Sequence, residues 1–311
     1  MKTLLNVVRR NLKLFFRDKG MFFSSLITPI LLLVLYATFL AKVYRESFDA
    51  ALPAGMEIAD KLISGTVVSQ LIASLLAVSC VTVSFCSNLI MIQDKANGNI
   101  RDFTVSPVKR SILATGYYIS SAVSTLIVTF SALVVCFGYL AIKGWYMTFG
   151  DVMLVILDVF LLTLFGTAVS SCVNFFLNTN GQASAVGTIV SAGYGFVSGA
   201  YMPISSFGDG LQKTMSLLPG TYGTSLLKNH MMQGVFREME SIGFPPEVMT
   251  GIRDSIDCNI YFFGDLVTIP VMAVVLVSSI LFFTGLFVLF NVLQKKIKLP
   301  HALKKQKKSE K

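Results

Sequence analysis

Two histidines, His230 and His301, and five cysteines, Cys80, Cys86, Cys136, Cys172 and Cys258, are what a metal centre or a thiol mechanism would draw on. Their spacing supports neither. The histidines are far apart, the cysteines form no C-x-x-C pair, and four of them lie inside apolar runs. An odd count without a pattern argues against a zinc site or a disulfide framework. The nearest approach to a phosphate-binding loop is GDGLQKT at 208–214, which lacks the glycine directly before the lysine. No G-x-S-x-G or H-E-x-x-H stretch occurs. We therefore expect no catalytic residue, no metal ligand and no ATP hydrolysis in this chain.

One ionisable side chain, Asp158, falls inside an apolar run. A charge at membrane depth is costly unless it is paired or wet. Two readings of Asp158 stay open. It lines a translocation route, or it is hydrogen-bonded or hydrated near the outer interface with no part in transport. The other conspicuous polar residues form a loop, QDKANGN at 93–99 followed by RDFTVSPVKR at 101–110. A mere connector needs neither that length nor a Gly and a Pro. Pro107 fixes its own φ and biases Ser106 away from helix, which makes a corner.

The elements that position these residues follow from composition. The chain is 54% hydrophobic and only 14% charged, whereas soluble domains carry about a quarter charged residues. Its natural solvent is lipid. A spanning helix needs about 20 apolar residues, and six runs qualify: about 22–41, 63–92, 111–142, 152–177, 183–203 and 266–293. The first has no cleavage-site pattern and reads as retained. Of the 26 Lys and Arg residues, eighteen fall before the first run, in the 93–110 loop, or after the last run. Alternation puts these three segments on one side, the cytoplasmic one. The largest opposite segment, 204–265, holds more acids than bases.

Residues 1–20 read as a basic amphipathic helix in the cytoplasmic interface. Lys2, Asn6, Arg9, Arg10, Lys13 and Arg17 take one face, with apolar residues around the rest. In 204–265, apolar residues recur at helical spacing on both sides of Pro219-Gly220. Two short re-entrant amphipathic helices are expected there, then a small cap with one helix after Pro246. Span five carries Ala183, Gly187, Ser191, Gly195 and Gly199 at every fourth position. Such a row lets helices approach closely. It packs against another span of the same chain, or across a two-fold axis with Tyr194 and Phe196 beside it. The fold class is all-α integral membrane protein, one domain over 1–311, with a basic tail at 294–311.

Three stretches together resemble the ABC-2 type permease family, the membrane subunits of one class of ABC exporters. They are RRNLKLFFRD at 9–18, DKANGNIRDFTVSPVKRSIL at 94–113 and YMPISSFGDGLQKTMSLLPGTYGTSLLK at 201–228. The family often has Glu near position 94, where this chain has Asp. The resemblance implies that the 93–110 loop couples to a separate ATPase subunit, with Asp94, Gly98, Arg101, Asp102 and Pro107 as the coupling residues. It implies a homodimer or heterodimer of permeases whose interface and translocation route include Gly187, Ser191, Tyr194, Gly195, Phe196, Gly199 and Asp158. ATP and Mg would belong to the partner, with none in this chain. Membrane lipids are the other partner, and nucleic acid is not. The implied function is export of an amphipathic substrate (drug, lipid, peptide or lipid-linked glycan) across a bacterial cytoplasmic membrane, with both termini cytoplasmic. A secondary transporter or a membrane-embedded lipid-processing enzyme is the alternative. The lone Asp158 and the missing catalytic constellation speak against them.

The charge distribution makes a topology prediction. With the native cysteines replaced, Gly98→Cys and Glu240→Cys are introduced singly. A membrane-impermeant thiol reagent on intact cells should label position 240 and spare 98. The opposite pattern would invert the topology.

Overall fold

The computed structural model describes residues 2–36, 38, 42, 59–100, 103 and 108–293. Its elements are α1 (Lys2–Arg17), α2 (Lys19–Leu35), α3 (Asp60–Ser87), α4 (Leu89–Ala96), α5 (Arg110–Lys143), α6 (Phe149–Phe176), α7 (Asn180–Val197), α8 (Asp209–Ser216), α9 (Pro219–Ser241) and α10 (Pro246–Ser255). A two-stranded hairpin, β1 (Ile260–Phe262) and β2 (Asp265–Val267), and then α11 (Ile269–Leu293) follow. Apart from this hairpin, the regular structure of the described residues is helical.

Among the described residues, four helical segments are long and apolar enough to cross a membrane: Asp60–Ala96, α5, α6 and α11. The pair α1 and α2, bent by 75° at Asp18, makes a fifth if counted as one. Asp18 causes the break by capping α2, its side chain accepting from the Met21 N–H at 3.1 Å. Six spans were expected and four to five are found. The end of the first expected run, beyond Tyr36, falls largely outside the described residues. The fifth does not reach 203, because α7 ends at Val197 after 18 residues and opens on a polar turn. The chain reverses there: the N–H groups of Ala200 and Tyr201 both donate to the Gly195 carbonyl, at 2.8 and 2.9 Å.

Position in the bundle follows burial. In α3, 89% of the most apolar window is buried inside the protein, against 17% in α11. So α3 is the central post and α11 a peripheral helix. In lipid, helices gain little from hiding apolar surface from one another, so small residues and hydroxyls hold them together. Gly166 of α6 sits against the α3 backbone at Val81, where a Cβ would come within 2.9 Å of Cα. Beside it, the Ser84 hydroxyl lies 3.3 Å from that of Thr167.

Contacts along α6 and α11 define the two ends of the bundle. Phe165 meets Phe283 with centroids 6.3 Å apart, and Phe175 stacks on Phe290 at 5.5 Å. These helices therefore run parallel, and both start at the end opposite α4. Between them lies α9, which corrects the expectation of two short leaflet helices. α8 is short, but α9 has 23 residues and is buried on nearly all sides. Gly223 packs on Leu162, halfway along α6, and on Leu276 of α11. From there α9 runs antiparallel to α6 until Arg237 pairs with Asp151 in the first turn of α6. Its low apolarity hid it, because its polar side chains are satisfied by protein and need no apolar sequence. The expected helix after Pro246 is present as α10.

A crowding prediction follows. A Cβ on Gly234 of α9 would overlap the carbonyl of Tyr146, a backbone atom that cannot step aside. Gly234→Ala should lose about 1–3 kcal/mol of stability, read as a lower thermal midpoint in detergent. Gly138→Ala, in open space on α5, should be neutral or gain up to about 1 kcal/mol from helix propensity. Equal midpoints for the two variants would refute the close approach.

A candidate coupling site at one end of the bundle

The site is built around Asp94, on α4, directly before the 93–110 loop leaves the bundle. Asp94 is 3% exposed. A buried carboxylate needs compensation for lost hydration, and three elements supply it. Arg10 of α1 makes a two-pronged contact, with one guanidinium nitrogen on Oδ2 and the other 2.8 Å from Oδ1. Tyr117 of α5 donates its hydroxyl to Oδ2 at 2.5 Å. Asn99, just past α4, donates to Oδ1 at 3.0 Å. The other face of the Arg10 guanidinium lies over the Phe103 ring, 5.3 Å from its centroid.

The next residue ties in a fourth element. Lys95 Nζ donates to the carbonyls of Asn174, Phe175 and Leu177, at 3.2, 2.5 and 3.0 Å. These are the orphan carbonyls at the C-terminus of α6, where a cation also complements the helix dipole. Asp94 and Lys95 thus fasten the root of the loop to α1, α5 and α6. α1 is further seated by Val7 and Val8 and by Asn11, which donates to Ser120 Oγ at 3.2 Å. Gly116 of α5 admits Val7, since a Cβ there would overlap the valine. α1 therefore docks on protein through one face, while Leu5, Leu14 and Phe16 stay exposed.

Of the expected coupling residues, Asp94 is the buried centre and Gly98 lies at the exit in open space, with φ +80. Arg101, Asp102 and Pro107 lie outside the described residues. Arg10, Lys95, Asn99 and Tyr117 were missed. Arg10 reads in sequence as one more charge on a basic face, and its partner is 84 positions away.

The other expected residues are scattered. Asp158 is 1% exposed and has a partner, His230 of α9, with Nδ1 2.6 Å from Oδ2. The small-residue row does not hold as one helical stripe. Gly199 lies beyond the end of α7 in a left-handed turn, φ +72, and Gly195 is covered by the Tyr201 ring. Ala183 is buried too, while Gly187 and Ser191 lie at the edge of the face that packs on α3. Tyr194 points inward, its hydroxyl against Gly220. Phe196 is exposed, its ring 5.2 Å from that of Tyr201. A helix that packs on one side and stops early divides the row between two environments.

A third buried pair joins the turn after α7 to the cap. Lys228 of α9 is 2% exposed. Its Nζ donates to the carbonyls of Gly199 and Ile256 at 2.8 and 2.9 Å and lies 3.6 Å from Asp257. The Asp257 carboxylate accepts from the Ile204 N–H at 2.9 Å. Burial pushes the Asp257 carboxyl above its ordinary range, and Lys228 with the Ile204 N–H reverses this only in part. Burial likewise pushes the neighbouring Cys258 thiol up to about 12, which keeps it unreactive.

The described residues thus form a multi-pass helical bundle with the root of a polar loop fastened to several of its helices. The chain matches the ABC-2 type transporter family over residues 3–232 and belongs to it. It is a membrane permease, a non-catalytic transmembrane subunit. No curated protein matches it.

The Asp94 cluster makes its own prediction. Breaking a buried pair by removing one partner costs about 3 kcal/mol, so Asp94→Asn should lower the thermal midpoint in detergent markedly. Arg10→Lys keeps the charge but loses the fork, and should cost about 1–2 kcal/mol. In an Arg10→Met/Asp94→Leu double variant the losses should be less than additive. Additive losses would mean the two side chains act separately.

Proposed function

We propose that this permease works in an ATP-driven exporter and takes its power stroke from a separate ATPase subunit through residues 93–110. The observation that carries this reading is the root of that loop. A push on it is delivered at once to α1, α5 and α6, through Arg10, Tyr117 and Lys95. A loop that only joined two spans would need no buried, two-pronged ion pair at its base. ATP and Mg are held by the partner.

In this reading six spans cross the membrane: one to which α2 belongs, Asp60–Ala96, α5, α6, α7 and α11. α8 and α9 form a re-entrant element, α9 reaching half the depth of the bundle from the side opposite Asp94. Both termini and the 93–110 loop are cytoplasmic, in a bacterial plasma membrane. Two permease copies, identical or not, face each other across α2 and the exposed side of α7. Gly187 and Ser191 lie at the margin of that surface and Phe196 within it, and amphipathic cargo passes there. α2 supports this with an exposed apolar face made by Phe23, Ile27, Ile30, Leu31 and Val34. Asp158, closed off by His230, acts as a clamp between α6 and α9.

The test reverses charge in the loop. Arg101→Glu should weaken co-purification of the ATPase subunit, or its stimulation, while the chain inserts normally. Wild-type association and wild-type transport together would refute a role for Arg101 in coupling.

A further inference from the structure

The hairpin between α10 and α11 lies outside the stretch that matches the family, which ends at 232. Its two residues at the tip, Phe263 and Gly264, both have positive φ, +51 and +104. Such a turn matches strand twist and normally takes Asn-Gly or Asp-Gly. A phenylalanine there is disfavoured by its own backbone; its ring meets the edge of the likewise surface-lying Phe262, centroids 4.8 Å apart, and Phe263 stays 63% exposed. Tyr261, Phe262 and Leu266 beside it are 46%, 41% and 52% exposed. In β1 only Ile260, at the base, is buried. A short water-exposed hairpin would not carry four large apolar side chains.

The level of the hairpin says what covers them. α11 starts at Ile269, two residues after β2, and leaves Ile269, Val271 and Val274 exposed along a face that meets lipid in a membrane protein. α6 starts at the same level, since Phe165 and Phe283 meet 16 and 14 residues into their helices. At that level Phe149 and Trp145 are also exposed, by 78% and 40%, and the Trp145 Nε1 donates to the Met147 carbonyl. Aromatic residues with one apolar end and one satisfied polar end mark the membrane–water boundary. Tyr261 has that form, its hydroxyl donating to Asp254 at 3.1 Å. The hairpin is thus continuous with the lipid-facing surface of α11 and sits at the boundary marked by Trp145 and Phe149.

We infer that the 260–267 hairpin is a membrane anchor: Phe262, Phe263 and Leu266 insert into the headgroup–acyl boundary of the leaflet opposite the Asp94 cluster. The ligand is the bilayer surface itself. The anchor holds the cap, and through Asp257 and Lys228 the turn after α7, at a fixed height. The inference needs only a membrane-embedded chain and is independent of export or of an ATPase.

The experiment places p-benzoylphenylalanine at position 263 in the native chain, in phosphatidylcholine–phosphatidylglycerol nanodiscs. Illumination should give a phospholipid adduct by mass spectrometry, with a yield like that of the same probe at Val274 on the lipid face of α11. Crosslinking only to a second copy of the chain, or no adduct while position 274 reacts, would overturn the anchor. Phe263→Asn provides a second measurement, since it suits the turn but not the lipid. Its thermal midpoint in detergent should not fall. Contact of the hairpin with lipid is read in a Trp145→Phe/Phe262→Trp background, as quenching of the indole introduced at position 262 by brominated lipid. Adding Phe263→Asn should reduce that quenching at least twofold. A lowered midpoint with unchanged quenching would make Phe263 a residue of the fold and refute the inference.

Discussion

A buried carboxylate must find a cation or give up its charge, and this constraint organises the molecule. Among the described residues four aspartates are buried: Asp94, Asp151, Asp158 and Asp257. Each meets a basic side chain from another element: Arg10, Arg237, His230 and Lys228. Two of the pairs form one device. Asp151 and Asp158 stand seven residues apart on α6, and His230 and Arg237 seven apart on α9. Seven residues are about two helical turns, so the pairs lie in register on one face of two antiparallel helices. They fix both the rotation and the sliding of α9 against α6. The polar pairs specify this contact because any other register would leave buried polar groups without partners, and that costs more than the pairs themselves gain.

Uncharged polar groups do the same work between α3, α5 and α6. Asn88, at the end of α3, donates to Ser170 and Ser171 of α6 at 3.2 and 2.8 Å and accepts from Ser121 of α5 at 3.2 Å. Thr125 reaches Ser87 at 3.1 Å. Each such bond is worth about 0.6 kcal/mol between membrane helices, so the effect lies in their number and direction. Serines and threonines along these helices also bond to their own preceding turns, as Thr82 does to Val78 and Thr167 to Thr163. Many hydroxyls are thereby satisfied within their own helix, though the buried Ser79 Oγ of α3 is not.

The spans were legible in sequence because lipid imposes length and apolarity on every crossing helix, and α3, α5, α6 and α11 obey within a few residues. The root of the loop was half legible. Asp94 came from the resemblance to the family's loop pattern, and nothing near it in sequence points to Arg10 or Tyr117. Pairing across 72 to 86 positions leaves no periodic trace. His230 was visible only as one of two distant histidines, a pattern that argues against a metal site but does not reveal a partner for Asp158. α9 escaped for a related reason. Its Pro219-Gly220 start was read correctly as a break, yet a helix whose polar residues are paired inside the protein needs neither an apolar run nor a polar face. The small-residue row failed because spacing cannot tell where a helix ends. Gly195 and Gly199 serve the reversal that stops α7, one under Tyr201 and the other in a left-handed turn.

The placement of these ties divides the bundle mechanically. α6 is held at both ends: by Lys95 on its last carbonyls, and by the Thr148–Asp151 capping box and Arg237 at its start. α9 is locked to α6, and the cap is locked to α9 by Lys228 and by Ser225, which donates to the Cys258 carbonyl at 3.0 Å. The loop root and the cap are therefore joined through polar contacts that break only at high cost. α2 meets the core through apolar groups such as Leu32 and leaves Ile27, Ile30, Leu31 and Val34 exposed. Apolar contacts are non-directional and can be exchanged for lipid at little cost, whereas a buried ion pair cannot slide by one turn. The rigid body is thus α3, α5, α6 and α9 with the cap.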